Sequence, residues 1–158
     1  MPDVRRHPVA LGATAALADH LGSLLGPGVV TSGRLCPACG SDQHGAPWAR
    51  LDGQAFAVSV SRSGCHLVTA IGTHGRVGVD IESIDAVARG WDPGIVLAEG
   101  ETADTAEEQA WHWAAKEAVL KAMGVGLARP MTSVALADHD VRRVPSPNGY
   151  VTAATQLS

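Results

Sequence analysis

The sequence predicts an α+β fold with mostly antiparallel sheets, and three observations lead there. Strand-like runs at 55–61 and 66–73 are separated by a turn too short for anything but a hairpin. Helical periodicity is confined to two segments of unequal length, 8–25 and 106–123, with no regular strand–helix–strand rhythm between them. The chain has 158 residues, 46% of them hydrophobic and 18% charged, enough for one compact core but cramped for two independent domains.

The elements follow in order. Residues 8–25 carry apolar side chains at helical spacing and stop at Gly26-Pro27-Gly28. A loop is expected from Thr31 to about Pro47. Ala55–Ser61 and His66–Thr73 then form the hairpin around Arg62-Ser63-Gly64, and Gly75 turns the chain into a strand at Arg76–Glu82. From Ser83 to Asp104, Pro93, Gly94 and Gly100 limit the chain to short helical pieces. Thr105-Ala-Glu-Glu108 has the spacing of a capping box, which starts a helix over Ala106–Met123 with its apolar stripe on Ala110, Trp111, Ala114, Ala118 and Met123. Gly124 ends it. Beyond Pro130, strands are predicted at Thr132–Ala137 and Tyr150–Ala154, separated by the polar turn Pro145–Gly149.

Charge and composition exclude several functions. A formal net charge of −4 with no basic stripe argues against nucleic-acid binding. No apolar stretch reaches the length of a membrane span, and Arg5 and Arg6 have no apolar run behind them to make an export signal, so a cytoplasmic protein is expected. Three cysteines, Cys36, Cys39 and Cys65, form an odd count that suits a reducing compartment. Cys36-x-x-Cys39 with His44 is part of a zinc set, but the usual second pair is absent; a tight Pro37–Gly40 turn with buried thiols is the favoured reading.

Two charged clusters in apolar sequence carry the chemistry. On a strand, Asp80 and Glu82 share one face while Val79 and Ile81 take the other. On a helix, Trp113, Glu117 and Lys121 lie one turn apart on a single stripe. The chain has only two lysines, Lys116 and Lys121, both in this helix, against ten arginines. An exposed i,i+4 ion pair would account for Glu117 and Lys121 alone. Three carboxylates with a lysine beside them instead suit magnesium, which takes a few carboxylate oxygens and leaves the rest of its shell to water and phosphate.

Gly78-Val-Asp-Ile-Glu82 followed by Trp113-Ala-Ala-Lys-Glu-Ala-Val-Leu-Lys121 resembles the signature pair of the 4'-phosphopantetheinyl transferase superfamily, specifically its monomeric, surfactin-synthetase-activating type. Cys36-Pro-Ala-Cys39-Gly40 with His44-Gly-Ala-Pro47, and the strand Phe56–Ser63, extend the resemblance over about Arg34 to Leu127. It implies a single unit over 1–158, in which two α+β halves, about 1–73 and 74–158, are related by a pseudo-twofold axis with coenzyme A in the cleft between them. It also implies transfer of the phosphopantetheine arm of coenzyme A to a serine of an apo acyl or peptidyl carrier protein of secondary metabolism. Neither nucleic acid nor membrane takes part.

By position, Asp80, Glu82 and Glu117 would hold magnesium, Glu117 would act as general base, and Lys121 would serve catalysis as the phosphate-side cation. Gly45, Ala46, Pro47, Ser61, Arg62 and Lys121 would contact coenzyme A. The chain departs from the family where Ala46 replaces a lysine, where Ser61-Arg62-Ser63 replaces Ser-His-Ser, and where the segment Leu11–Leu25 has no Lys or Arg. Arg5, Arg6 and Arg34 are the candidates to substitute. These departures motivate an alternative: a degenerate relative that binds a carrier protein as an accessory or acts on its acyl chain by another reaction.

Overall fold

The computed structural model describes residues 1–158, the side chain of Leu127 excepted. Strand β1 (Asp3–Pro8) and helix α1 (Ala13–Leu25) precede β2 (Val30–Leu35), β3 (Ala46–Leu51), β4 (Gln54–Ser63) and β5 (His66–Gly72). The five strands form one sheet in the order β1-β5-β4-β3-β2, antiparallel throughout. After the turn at 73–75 come β6 (Arg76–Ser83), α2 (Ile84–Arg89), α3 (Pro93–Val96), α4 (Ala106–Met123), β7 (Val141–Val144) and β8 (Tyr150–Leu157). The last three strands make a second antiparallel sheet, β6-β8-β7. The α+β prediction is met.

Alternation along each strand builds the layers. Val60, Leu67 and Ile71 face α1, where Ala16, Leu17 and Leu21 cover them. Val68 and Ala70 of β5 point the other way and pack on Val77, Val79 and Ile81 of β6. Helix α4 lies across the second sheet through a run of alanines, Ala110, Ala114 and Ala118, whose small side chains let helix and strand backbones approach. The closest approach is at Gly78, where a Cβ would stand 1.8 Å from the carbonyl oxygen of Ala118, so no other residue fits there without moving α4.

The two sheets meet where β4 runs beside β6 without sharing a ladder. The outward N–H groups of β6 bond to serine side chains instead: Val79 donates to Ser59 Oγ at 3.1 Å and Ile81 to Ser61 Oγ at 3.4 Å. Those hydroxyls satisfy a buried strand edge that would otherwise be left unpaired.

The long helix matches its prediction over Ala106–Met123, with both halves of the Thr105–Glu108 capping box formed and Gly124 left-handed at its end. Other segments differ. The region expected to be a loop from Thr31 to Pro47 contributes β2 and β3, leaving only residues 36–45 between them. The first helix begins at Ala13, because Asp3–Pro8 pairs with β5 as a strand. The strand expected at Thr132–Ala137 is absent; two 3₁₀ turns, Met131–Ser133 and Leu136–Asp138, take its place. The reason is packing: Met131 and Val134, three apart, both bury against Val119 and Leu120 of α4, which a two-residue alternation cannot achieve. The strand beside β8 comes later, at Val141–Val144. Among the described residues, no helix is long and apolar enough to cross a membrane.

Candidate metal and phosphate site

Asp80 and Glu82 leave β6 on the side that α4 covers, and Glu117 and Lys121 descend from α4 toward them. Asp80 is the anchor, only 3% exposed. Its Oδ1 accepts two short hydrogen bonds, from Ser61 Oγ at 2.6 Å and from Lys121 Nζ at 2.6 Å. Lys121 also donates to the carbonyl of Val79 at 3.2 Å. Both donors crowd one oxygen, and Asp80 Oδ2 is buried with no donor of its own unless Glu82 supplies a proton.

The two glutamates show the strain of this arrangement. Burial, and then the charge of Asp80 and a carboxyl–carboxyl contact with it, push Glu82 up to about 8, Lys121 offsetting only part of the effect. Glu117 is raised by burial and by Asp80 in the same way. Fully ionised, the three carboxyls would exceed the one ammonium by two negative charges; burial opposes that by keeping protons on the glutamates, and a divalent cation would favour it. Asp80 and Glu82 touch, but among the described residues the three carboxyls do not offer oxygens that all lie within 4.8 Å of one another, so the cluster is wider than a closed ligand cage. An ion that keeps water or phosphate oxygens in its shell fits such a spacing. Beside it, Glu82, Ala86, Val87, Gly90 and Trp113 line a hollow of about 190 Å³.

The other sequence-designated residues lie elsewhere. Ser61 is buried, and its hydroxyl is spent on Asp80 and on the Ile81 N–H, which makes it a positioning residue for the carboxylate. Arg62, one residue on, takes the opposite face of β4, the side of Val60 and α1, and is exposed. Gly45, Ala46 and Pro47 sit at the entrance to β3. Ala46 and Pro47 line a large cleft, about 810 Å³, together with Leu35, Pro37, Trp48 and Phe56. No residue of the acidic cluster lines that cleft, so the cluster's charge is better evidence of chemistry than the cleft's size. The Cys36 and Cys39 thiols, expected to be buried in the Pro37–Gly40 turn, are not: Cys39 is exposed and Cys36 is half-buried.

Three features escaped the sequence reading. Gly78 lets α4 seat against β6, and a glycine inside a strand is the sequence signal for such an approach. The serines of β4 were not seen as partners of β6. Lys116 is fully buried; its Nζ contacts Glu101 at 2.5 Å and donates to the carbonyls of Val96 at 2.7 Å and Met131 at 3.3 Å. Its position among Ala114, Ala115, Ala118 and Val119 could have exposed it as an inward lysine.

The fold and cluster together define an α+β protein with an acidic cluster and one lysine between a strand and a helix. Residues 76–153, which hold that site from β6 into β8, match the family model of the 4'-phosphopantetheinyl transferase superfamily. No curated protein matches the chain.

Proposed function

We propose that the protein is a phosphopantetheinyl transferase, moving the arm of coenzyme A onto a serine of an apo carrier protein. The observation that carries this reading is the pairing of Asp80 and Glu82 on β6 with Glu117 and Lys121 on α4, within the span that resembles the superfamily. Asp80, Glu82 and Glu117 would hold magnesium, and the orphaned Asp80 Oδ2 is the oxygen best placed to do so. When bound, the ion would draw charge from the pyrophosphate oxygens.

The chain's own side chains supply the rest. Ser61 and Lys121 fix the Asp80 carboxylate. Glu117, its basicity raised by burial, is suited to take the proton of the attacking serine. Lys121, part-exposed, can neutralise the phosphate that leaves. For the phosphates of coenzyme A, which Ala46 cannot bind, a hollow of about 190 Å³ brings Arg34 and Ser32 beside the first residues of α1, Ala13 and Thr14, with Asp42 also on its wall. The N–H groups there and one guanidinium favour an anion, and the Asp42 carboxylate opposes it. The reading treats 1–158 as one unit with halves near 1–73 and 74–158, acting as a monomer in the cytoplasm on carriers of secondary metabolism.

Incubation with magnesium, coenzyme A and a panel of apo carrier proteins, followed by mass measurement of the carriers, tests it. Mass gained at the carrier serine is the expected result. Binding of coenzyme A and carrier with no mass gained, for every carrier, would replace the transferase with the carrier-binding accessory that the loss of lysine at position 46 suggests.

A further inference from the structure

We infer that Cys36, Cys39 and His44 form a site for a thiophilic divalent cation, zinc by its chemistry, which clips the loop between β2 and β3. The inference is independent of the acidic cluster. One sulfur from each cysteine and one ring nitrogen of His44 all lie within 4.8 Å of one another. Cys39 Sγ is 3.4 Å from His44 Nε2. A tetrahedral zinc with bonds of about 2.3 Å to sulfur and about 2.0–2.1 Å to nitrogen holds that pair about 3.6 Å apart, so little movement is needed to admit the ion.

The backbone is already shaped for it. The Cys36 carbonyl accepts from the Gly40 N–H at 2.8 Å, and the Cys36 N–H donates to the Ser41 carbonyl at 2.9 Å, closing a tight knuckle. The resulting site is also electrically balanced, since two thiolates and a neutral imidazole cancel a divalent ion.

The loop has need of a clip. No side chain from residues 36–45 belongs to the buried core among the described residues, so apolar burial does not order it. At its far end Arg34 donates to the Gly45 carbonyl at 2.9 Å. Pro37 forms part of the wall of the large cleft, so a metal here would set the shape of that wall. Thiolate and imidazole select zinc over magnesium, and the exposure of Cys39 and His44 leaves the fourth position to water.

Metal analysis of the reduced, full-length protein, followed by cobalt titration, tests the site. One zinc per chain is expected, replaceable by cobalt with the thiolate charge-transfer band and strong visible absorption of a tetrahedral centre. Cys36→Ser and Cys39→Ser should each weaken retention more than tenfold, His44→Ala about tenfold or more, and Asp80→Ala not at all. Hydrogen exchange over 36–45 should slow when zinc is added. The proposal is overturned if the reduced wild-type chain takes up neither metal, or if uptake survives loss of both cysteines. It is also overturned if the protein isolated without reductant holds a Cys36–Cys39 disulfide and, once reduced, still binds no zinc.

Discussion

On α4, the face that carries Lys116 and the face that carries Lys121 hold the same kind of side chain in contrasting surroundings. Lys116 is fully enclosed and every neighbour is answered. Glu101 takes its charge, and the free lone pairs of Glu101 accept N–H bonds from Ala98 and Leu136, each at 2.8 Å. That network ties α4 to the segments after α3 and after Pro130. Lys121 is 28% exposed at its side chain and shares a single oxygen of Asp80 with Ser61, leaving Asp80 Oδ2 orphaned and two glutamates held above their ordinary pKa. A charge network that closes on itself holds a fold; one left short of positive charge is a place for a ligand.

Breaking each face should therefore give different defects. Lys116→Ala strands Glu101 in a largely apolar setting and should cost about 3–5 kcal/mol of stability, read from denaturant midpoints. Lys121→Ala should leave the protein folded by circular dichroism but lower turnover about a hundredfold to a thousandfold, the scale of a lost transition-state charge contact. Equal stability losses for the two variants would erase the distinction.

Gly78→Ala sharpens the comparison, because it attacks the geometry that puts α4 on β6 rather than any charge. Its Cβ collides with the Ala118 carbonyl, and overpacking of this kind costs about 1–3 kcal/mol. Magnesium affinity should fall with stability, since a displaced helix carries Glu117 and Lys121 away from Asp80. Calorimetric titration of the folded variant checks this; unchanged affinity would detach the carboxylates from the helix contact.

The least specific response is to pH, where the two faces should respond with opposite signs. For Glu101, burial favours the neutral acid, but N–H donors from Leu136 and Ala98 and the Lys116 ammonium outweigh it and hold the carboxyl below 4.5. Its stabilisation is present above that value and is lost as pH falls below it. Glu82 and Glu117 are raised, so the folded chain keeps protons that the unfolded chain releases. The Glu82 contribution declines as pH climbs from about 4.5 toward about 8, and Glu117 adds a loss of the same sign above 4.5. Magnesium should abolish that second decline, because it favours the ionised carboxylates, and should release protons on binding at neutral pH. Midpoints measured across both windows, with and without the ion, show whether the signs hold.

The C-terminal half was the more legible in sequence because its signals are local. The capping box, the alternation through Asp80 and Glu82, and the i,i+4 spacing of Glu117 and Lys121 can each be read within a few residues. What brings them together, Gly78 against Ala118 and Ser61 on Asp80, depends on contacts between distant segments. In the N-terminal half, β1 is visible only through its pairing with β5, as its polar sequence has little alternation to show. The hairpin of β3 and β4 did carry a local sign that was missed: Asp52 and Gly53 both adopt positive φ, 49° and 84°, as a two-residue turn requires. The error at 132–137 came from taking an apolar segment for a strand when its buried residues repeat every three positions.

The central claim is that the open face of α4, with Asp80, is the reaction centre. Single-turnover mass spectrometry of an apo carrier protein, with the wild type and Glu117→Gln at saturating magnesium and coenzyme A, addresses it most directly. Glutamine keeps the shape and cannot accept the serine proton. The arm should appear on the carrier about a hundredfold to ten-thousandfold more slowly while carrier affinity changes little. Transfer by Glu117→Gln at the wild-type rate would place the chemistry away from α4 and contradict the account.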